Sequence, residues 1–113
     1  MNHNISEIFC QTSVLIICNN QTVKESIIAG LVSKYEIIND ISENMFDIVS
    51  DNERVLIVDD IQSIDTSIVT RAVLEGRHYN ISTYIFVTKE KDVSSPIRMN
   101  IEHIINTDND ELS

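Results

Sequence analysis

RVLIVDD, residues 54–60, is the stretch on which the fold turns. Four apolar residues run straight into two aspartates. An unbroken apolar run of strand length, without alternation, suits a strand buried on both faces of a parallel sheet. SVLIIC at 13–18 shares the pattern, and ISTYIFVT at 81–88 reads as a third strong strand. Between them lie segments with helical spacing. Residues 22–35 place Val23, Ile27, Ile28, Leu31 and Val32 on one predicted helix face. Residues 65–77 do the same with Ile68, Val69, Ala72 and Val73, with Asp65 or Thr66 as cap and Gly76 at the helix end.

The weaker segments fill in around these. YEIIND, 35–40, reads as a short strand, and SENMFDIVSDN, 42–52, as a short helix capped by Ser42. KEKDVSSP, 89–96, reads as a polar connection, and IRMNIEHIINT, 97–107, ends in a last strand. Strands alternating with helices predict an α/β three-layer sandwich on a mainly parallel sheet of about four to five strands. One domain is expected over residues 13–108, with an irregular lead-in at 1–12 and an acidic tail at 109–113. No internal repeat and no low-complexity segment interrupts it.

Composition narrows the function classes. The chain has 113 residues and 42% hydrophobic content, enough for one packed core. Its 18 acidic and 8 basic residues give a net charge of −10, which opposes general binding to nucleic acid. Any contact with DNA is expected to be indirect. Cys10 and Cys18 flank the first strand, over about 20 Å at ~3.3 Å per residue, too far for a direct bridge. Two free thiols fit a reducing, cytoplasmic setting. The opening residues lack the basic start and long apolar run of a secretory signal or membrane span. His3, His78 and His103 show no metal-ligand spacing, and the Asn-x-Ser/Thr triplets at Asn4, Asn20 and Asn80 are expected by chance in an Asn-rich chain.

In an open parallel sheet, ligands bind at the carboxyl ends of the strands. That directs attention to the residues after Cys18, to Asp59–Asp60 and to Thr88–Lys89. An apolar strand ending in acids is what a nucleotide hydrolase needs to hold magnesium and polarise water, although strand ends are often acidic simply because they meet solvent.

LIVDD, then a helix, then GRHYNIS at 76–82, then an apolar strand, then IRMN at 97–100, resembles the genome-packaging ATPases of poxviruses and related large DNA viruses. These belong to the FtsK–HerA group of P-loop ATPases. The resemblance covers roughly residues 13–108 and is specific over about 55–105. It implies a P-loop NTPase-like core. Asp59 matches the Walker B acid that supports magnesium, and Asp60 the acid that would activate water. Thr88 stands at the sensor position, where the family usually carries Gln. Arg77 and Asn80 match the Gly-Arg-His turn and the Asn after it, on the nucleotide-binding side of the assignment. Arg98 matches a later arginine that could act on a neighbouring subunit's phosphate. His78 belongs to the same turn, as a structural hydrogen-bonding group.

The same register lays CNNQTVKE, 18–25, over the Walker A loop, whose pattern is G-x-x-x-x-G-K-[ST]. Lys24 falls on the phosphate-binding lysine. Cys18 and Val23 stand where the glycines belong, and Glu25 where a hydroxyl would meet magnesium. Glycines let such a loop adopt positive φ and bring N–H groups to phosphate, a geometry poorly suited to β-branched Val23. Two unit charges about 4 Å apart repel by roughly 4 kcal/mol at an effective dielectric near 20. A carboxylate facing phosphate would thus weaken binding about a thousandfold. The resemblance therefore implies a degenerate, shortened pseudo-ATPase with no cofactor, acting by protein binding in the cytoplasm of an infected cell. Its partner would be an active homologous packaging ATPase or another copy of itself, with no membrane contact. The alternative is an active DNA-translocating ATPase using ATP and magnesium. A third reading is a flavodoxin-like or receiver-like signalling domain, which a sheet without strand 13–18 placed centrally beside strand 55–59 would favour.

Overall fold

The computed structural model describes residues 13–48 and 51–107. The expectations for the lead-in with His3, Asn4 and Cys10, and for the acidic tail, lie outside the described residues. The described chain runs β1 (Ser13–Ile17), α1 (Gln21–Lys34), β2 (Glu36–Ile37), β3 (Arg54–Val58), α2 (Thr66–Glu75), β4 (Ile81–Val87), α3 (Ser95–Asn100) and β5 (His103–Asn106). Short 3-10 turns stand at Glu43–Phe46, Ile61–Ser63, Gly76–Tyr79 and Glu90–Asp92. The fold is α/β: five strands, all parallel, in the order β2-β3-β4-β1-β5.

The continuous apolar runs become strands covered on both faces. Every residue of β1 and of β4 is buried. Successive side chains point to opposite faces, so each run feeds two apolar clusters. Leu15, Ile17, Leu56, Val58, Ile85 and Val87 pack with Ile68, Val69 and Ala72 of α2 and Ile97 of α3. Val14, Ile16, Val55, Tyr84 and Phe86 pack with Leu31 of α1, with Ile27 and Ile28 alongside. Helices thus cover both faces, an arrangement compatible with three layers. Leu15 and Leu56 are wholly excluded from solvent; truncating either to alanine would cost about 2–5 kcal/mol. The edge strand β5 differs, with Ile104 and Asn106 exposed.

Several expectations shift. The stripe of α1 is narrower than its spacing predicts. Leu31 is its buried residue, while Val23 and Val32 are 37% and 55% exposed, because one helix lies over that face and its outer flank meets water. Ser42 does cap a turn, its hydroxyl accepting from Asn44 N–H, but only a 3-10 turn over Glu43–Phe46 follows. The polar connection at 89–96 instead opens helix α3, whose first turn carries Pro96. Proline is favoured there because that N–H has no helical partner.

The sheet order also corrects an expectation. Strand 13–17 is not beside strand 54–58; β4 lies between them and pairs with both. Loss of that adjacency was expected to favour a signalling domain, but a flavodoxin-like sheet sets its first strand between the second and third. Here β1 lies between β4 and β5, so the order does not support that reading.

Candidate functional site

The strand order creates one crevice. β1 leads into α1 on one face, and its neighbour β4 leads into α3 on the other. Where adjacent parallel strands send their connections to opposite faces, the carboxyl ends part and leave room for a ligand. A cleft of about 280 Å³ lies there, lined by Cys18, Lys24, Asp59, Asp60, Gln62, Phe86, Thr88 and Asp92 among others. A smaller hollow of about 140 Å³ adjoins it, bounded by Thr66, Ser94 and Ile97. The main cleft is just below the 300–1,000 Å³ usual for small-molecule sites.

Four residues singled out by sequence meet in this cleft: Lys24, Asp59, Asp60 and Thr88. They come from the ends of three different elements. Lys24 Nζ donates to Asp59 Oδ1 at 2.7 Å. Asp60 Oδ1 accepts from Gln62 N–H at 3.2 Å, capping the turn Ile61–Ser63. Thr88 Oγ1 reaches Asp92 Oδ2 at 3.5 Å, the outer limit of a hydrogen bond. Asp92 and Gln62 were missed by sequence reasoning. A turn over Glu90–Asp92 folds Asp92 back onto the strand end, and nothing in the linear pattern announces that return.

The Walker A register does not yield a phosphate cradle. Only Cys18, Asn19 and Asn20 separate β1 from α1. The helix begins at Gln21, so pattern positions 21–25 are helical. Asn20 is its N-cap: its Oδ1 accepts from Val23 N–H at 3.1 Å, and its carbonyl from Lys24 N–H at 3.0 Å. Cys18 N–H donates to Val87 O, within the sheet. Among the described residues, no position in this connection has positive φ. The strain expected at Val23 therefore does not arise, because helix has replaced loop there. Glu25 is exposed, accepts from Gln21 Nε2 at 2.9 Å, and does not line the cleft.

These residues do not fit a magnesium-bound triphosphate as arranged. N–H groups that a cradle would turn toward phosphate are bonded to Asn20, and the lysine is bonded to Asp59. The cleft presents one cation, Lys24, against the three carboxylates Asp59, Asp60 and Asp92. Among the described residues, no group of three or more His, Cys, Asp and Glu is arranged to hold a metal ion.

Arg77, Asn80 and Arg98 do not line the cleft. The turn Gly76–Tyr79 precedes β4, at the amino ends of the strands, opposite the cleft. Three of the motif residues there, Gly76, Arg77 and Asn80, have a mechanical task. A Cβ on Gly76 would stand 2.6 Å from Ile81 O, so glycine is required by close approach; its own φ of −54° is ordinary. Arg77 pairs with Glu102, just before β5. Asn80 takes the left-handed conformation, φ 57° and ψ 42°, and its carbonyl accepts from Arg54 N–H at 2.8 Å. Asparagine tolerates that region better than most residues. His78 is exposed and, among the described residues, its side chain makes no hydrogen bond, which corrects the structural role expected for it. Arg98 is half-buried on α3 and, among the described residues, forms no ion pair.

Arg71 holds the same region from the helix side. It pairs with Glu43 at 2.7 Å and Glu75 at 3.2 Å, reaches Tyr79 Oη at 3.3 Å, and lies 4.2 Å over the Phe46 ring. Those contacts, led by the Tyr79 hydroxyl, push its pKa above the ordinary arginine value. No helix among the described residues is long and apolar enough to cross a membrane. No family model, no curated protein and no solved structure matches the chain.

Proposed function

We propose that this chain is a degenerate, shortened relative of the viral genome-packaging ATPases, with a P-loop NTPase-like core, that works by binding protein and does not hydrolyse nucleotide. One observation carries the loss of hydrolysis: α1 begins at Gln21, capped by Asn20, where the register of the resemblance requires an open phosphate loop. A helix cannot turn successive N–H groups toward one anion while those groups serve its own cap.

The partner is a homologous packaging ATPase or another copy of this chain. An arginine offered to a neighbour's phosphate needs no phosphate loop of its own, and Arg98 makes no ion pair among the described residues that would have to break. With a net charge of −10, the chain meets DNA only through such an assembly. Its setting is the cytoplasm of an infected cell.

The active ATPase is the second reading. The meeting of Lys24, Asp59, Asp60 and Thr88 in one cleft favours it. Calorimetry with ATP and magnesium, beside Lys24→Ala, separates the two. The pseudo-ATPase gives no heat at millimolar nucleotide. Binding at micromolar nucleotide, abolished by Lys24→Ala, would overturn the proposal and favour the packaging-motor reading.

A further inference from the structure

The misfit between the cleft and a phosphate ligand has a local cause. Lys24 projects from the first turn of α1, after β1, and Asp59 stands at the end of β3. β4 lies between those strands, so the 2.7 Å ion pair crosses the end of β4, above the crevice. The Lys24 side chain is only 20% exposed, whereas Asp59 is 54% exposed. The lysine is thus held down in the cleft by a carboxylate that itself reaches water. An anion entering the cleft must take the ammonium from Asp59 and then sit beside a released carboxylate.

Asp60 and Asp92 add negative charge but are engaged elsewhere. Asp60 caps the Ile61–Ser63 turn, and Asp92 accepts from Thr88. Neither forms an ion pair with Lys24. Removing the charge of Asp60 would weaken the repulsion and leave the lysine occupied. Removing the charge of Asp59 would weaken it equally and also reduce the lysine's tie from a charge-assisted bond to at most a neutral one.

We propose that the Lys24–Asp59 ion pair is an internal latch, closing to phosphate-class anions a cleft that would otherwise bind them. The proposal rests on the reading that the cleft descends from a phosphate site. It adds that the lysine remains competent and is silenced by its partner.

The test uses inorganic pyrophosphate with a chelator present, so that no metal contributes. Binding is measured by calorimetry for the wild type, Asp59→Asn and Asp60→Asn. Both substitutions are isosteric and remove one charge, and Asn at position 60 still caps. Freeing a charge-assisted hydrogen bond predicts that Asp59→Asn binds roughly ten- to a hundredfold more tightly than wild type. Asp60→Asn should gain only a small part of that. Equal gains would reduce the effect to net charge and overturn the latch, as would no gain in either variant.

Reductive methylation of the wild-type protein gives a second readout that needs no variant. Lys24 should react more slowly than the exposed Lys89 and Lys91, and equal rates would overturn the proposal. Failure here is distinct from failure of the parent reading. Wild-type binding of magnesium–ATP at micromolar concentration refutes the pseudo-ATPase. Asp59→Asn without a gain refutes only the latch.

Discussion

Gly76→Ala should destabilise the fold without touching the cleft. The glycine has helical torsions, φ −54° and ψ −34°, so alanine would incur no backbone strain there. Its methyl group, however, would stand 2.6 Å from Ile81 O and 3.6 Å from Ile81 C. A relaxed carbon–oxygen contact is about 3.3–3.6 Å, so roughly 0.7 Å or more of relief is needed. The obstructing atom is backbone, and it belongs to the first residue of β4. Ile81 is buried and stands opposite Arg54 in the β3–β4 register, so relief must come from moving the strand entry. Overpacking of this kind costs about 1–3 kcal/mol. Restricting the unfolded chain returns about 0.4–1 kcal/mol. The expected net loss is ~1–2 kcal/mol, which lowers Tm by about 5–10 °C in a domain of this size. Urea unfolding should show a lower midpoint with an unchanged slope. An alanine variant as stable as wild type would refute the close-approach argument and return Gly76 to an open question.

The other glycine should answer in the opposite direction. Gly30 lies within α1, and a Cβ there would meet nothing within 4 Å, so Gly30→Ala should stabilise by about 0.5–1 kcal/mol; a loss in a urea melt would contradict that. Asp65 caps α2, and its carboxyl is held below the ordinary aspartate range by the N–H and then the hydroxyl of Ser67. A depressed folded pKa stabilises above the unfolded value, near 3.9, and that contribution is lost as pH falls through the folded value. Wild type should therefore exceed Asp65→Asn in stability at pH 7, and the difference should shrink as pH falls below the unfolded value. A difference that stays constant across that window would remove Asp65 as its source.

The parts of the fold legible in sequence were those where one physical signal dominates. β1, β3 and β4 declared themselves because burial on both faces keeps most positions of each run apolar, with Ser82 and Thr83 the polar interruption in β4, and Ser42 and the pair Asp65/Thr66 because a side-chain acceptor belongs at a helix start. The order of strands was not legible. Placing β4 between β1 and β3 depends on which faces the intervening helices can cover, a tertiary matter that local periodicity does not carry. The start of α1 was readable and was overruled. Asn20 before a helical run is an ordinary capping signal, but the register of the resemblance stretched a loop through Val23 and Lys24. Ser94, Ser95 and Pro96 likewise announce α3, yet their polarity reads as a connection. In the cleft, Lys24, Asp59, Asp60 and Thr88 follow from the rule that ligands gather at carboxyl ends. Asp92 required knowing that the chain turns back.

The two ends of the sheet now carry different kinds of information. The most specific part of the resemblance, GRHYN, lies at the amino ends, where glycine fits a close approach, Asn80 supplies the left-handed turn and Arg77 meets Glu102. Those demands come from joining α2 to β4, and they persist whether or not nucleotide is hydrolysed. Hydrolysis makes its demands at the carboxyl ends, on the connection after β1. There the chain has a cap, a helix and a lysine bonded to an aspartate. The fit of GRHYN to the entry of β4 is therefore evidence about architecture, and it carries little weight on activity. Comparing the two ends by substitution makes the separation measurable: changes at Gly76 should register in stability alone, and changes at Asp59 in anion binding.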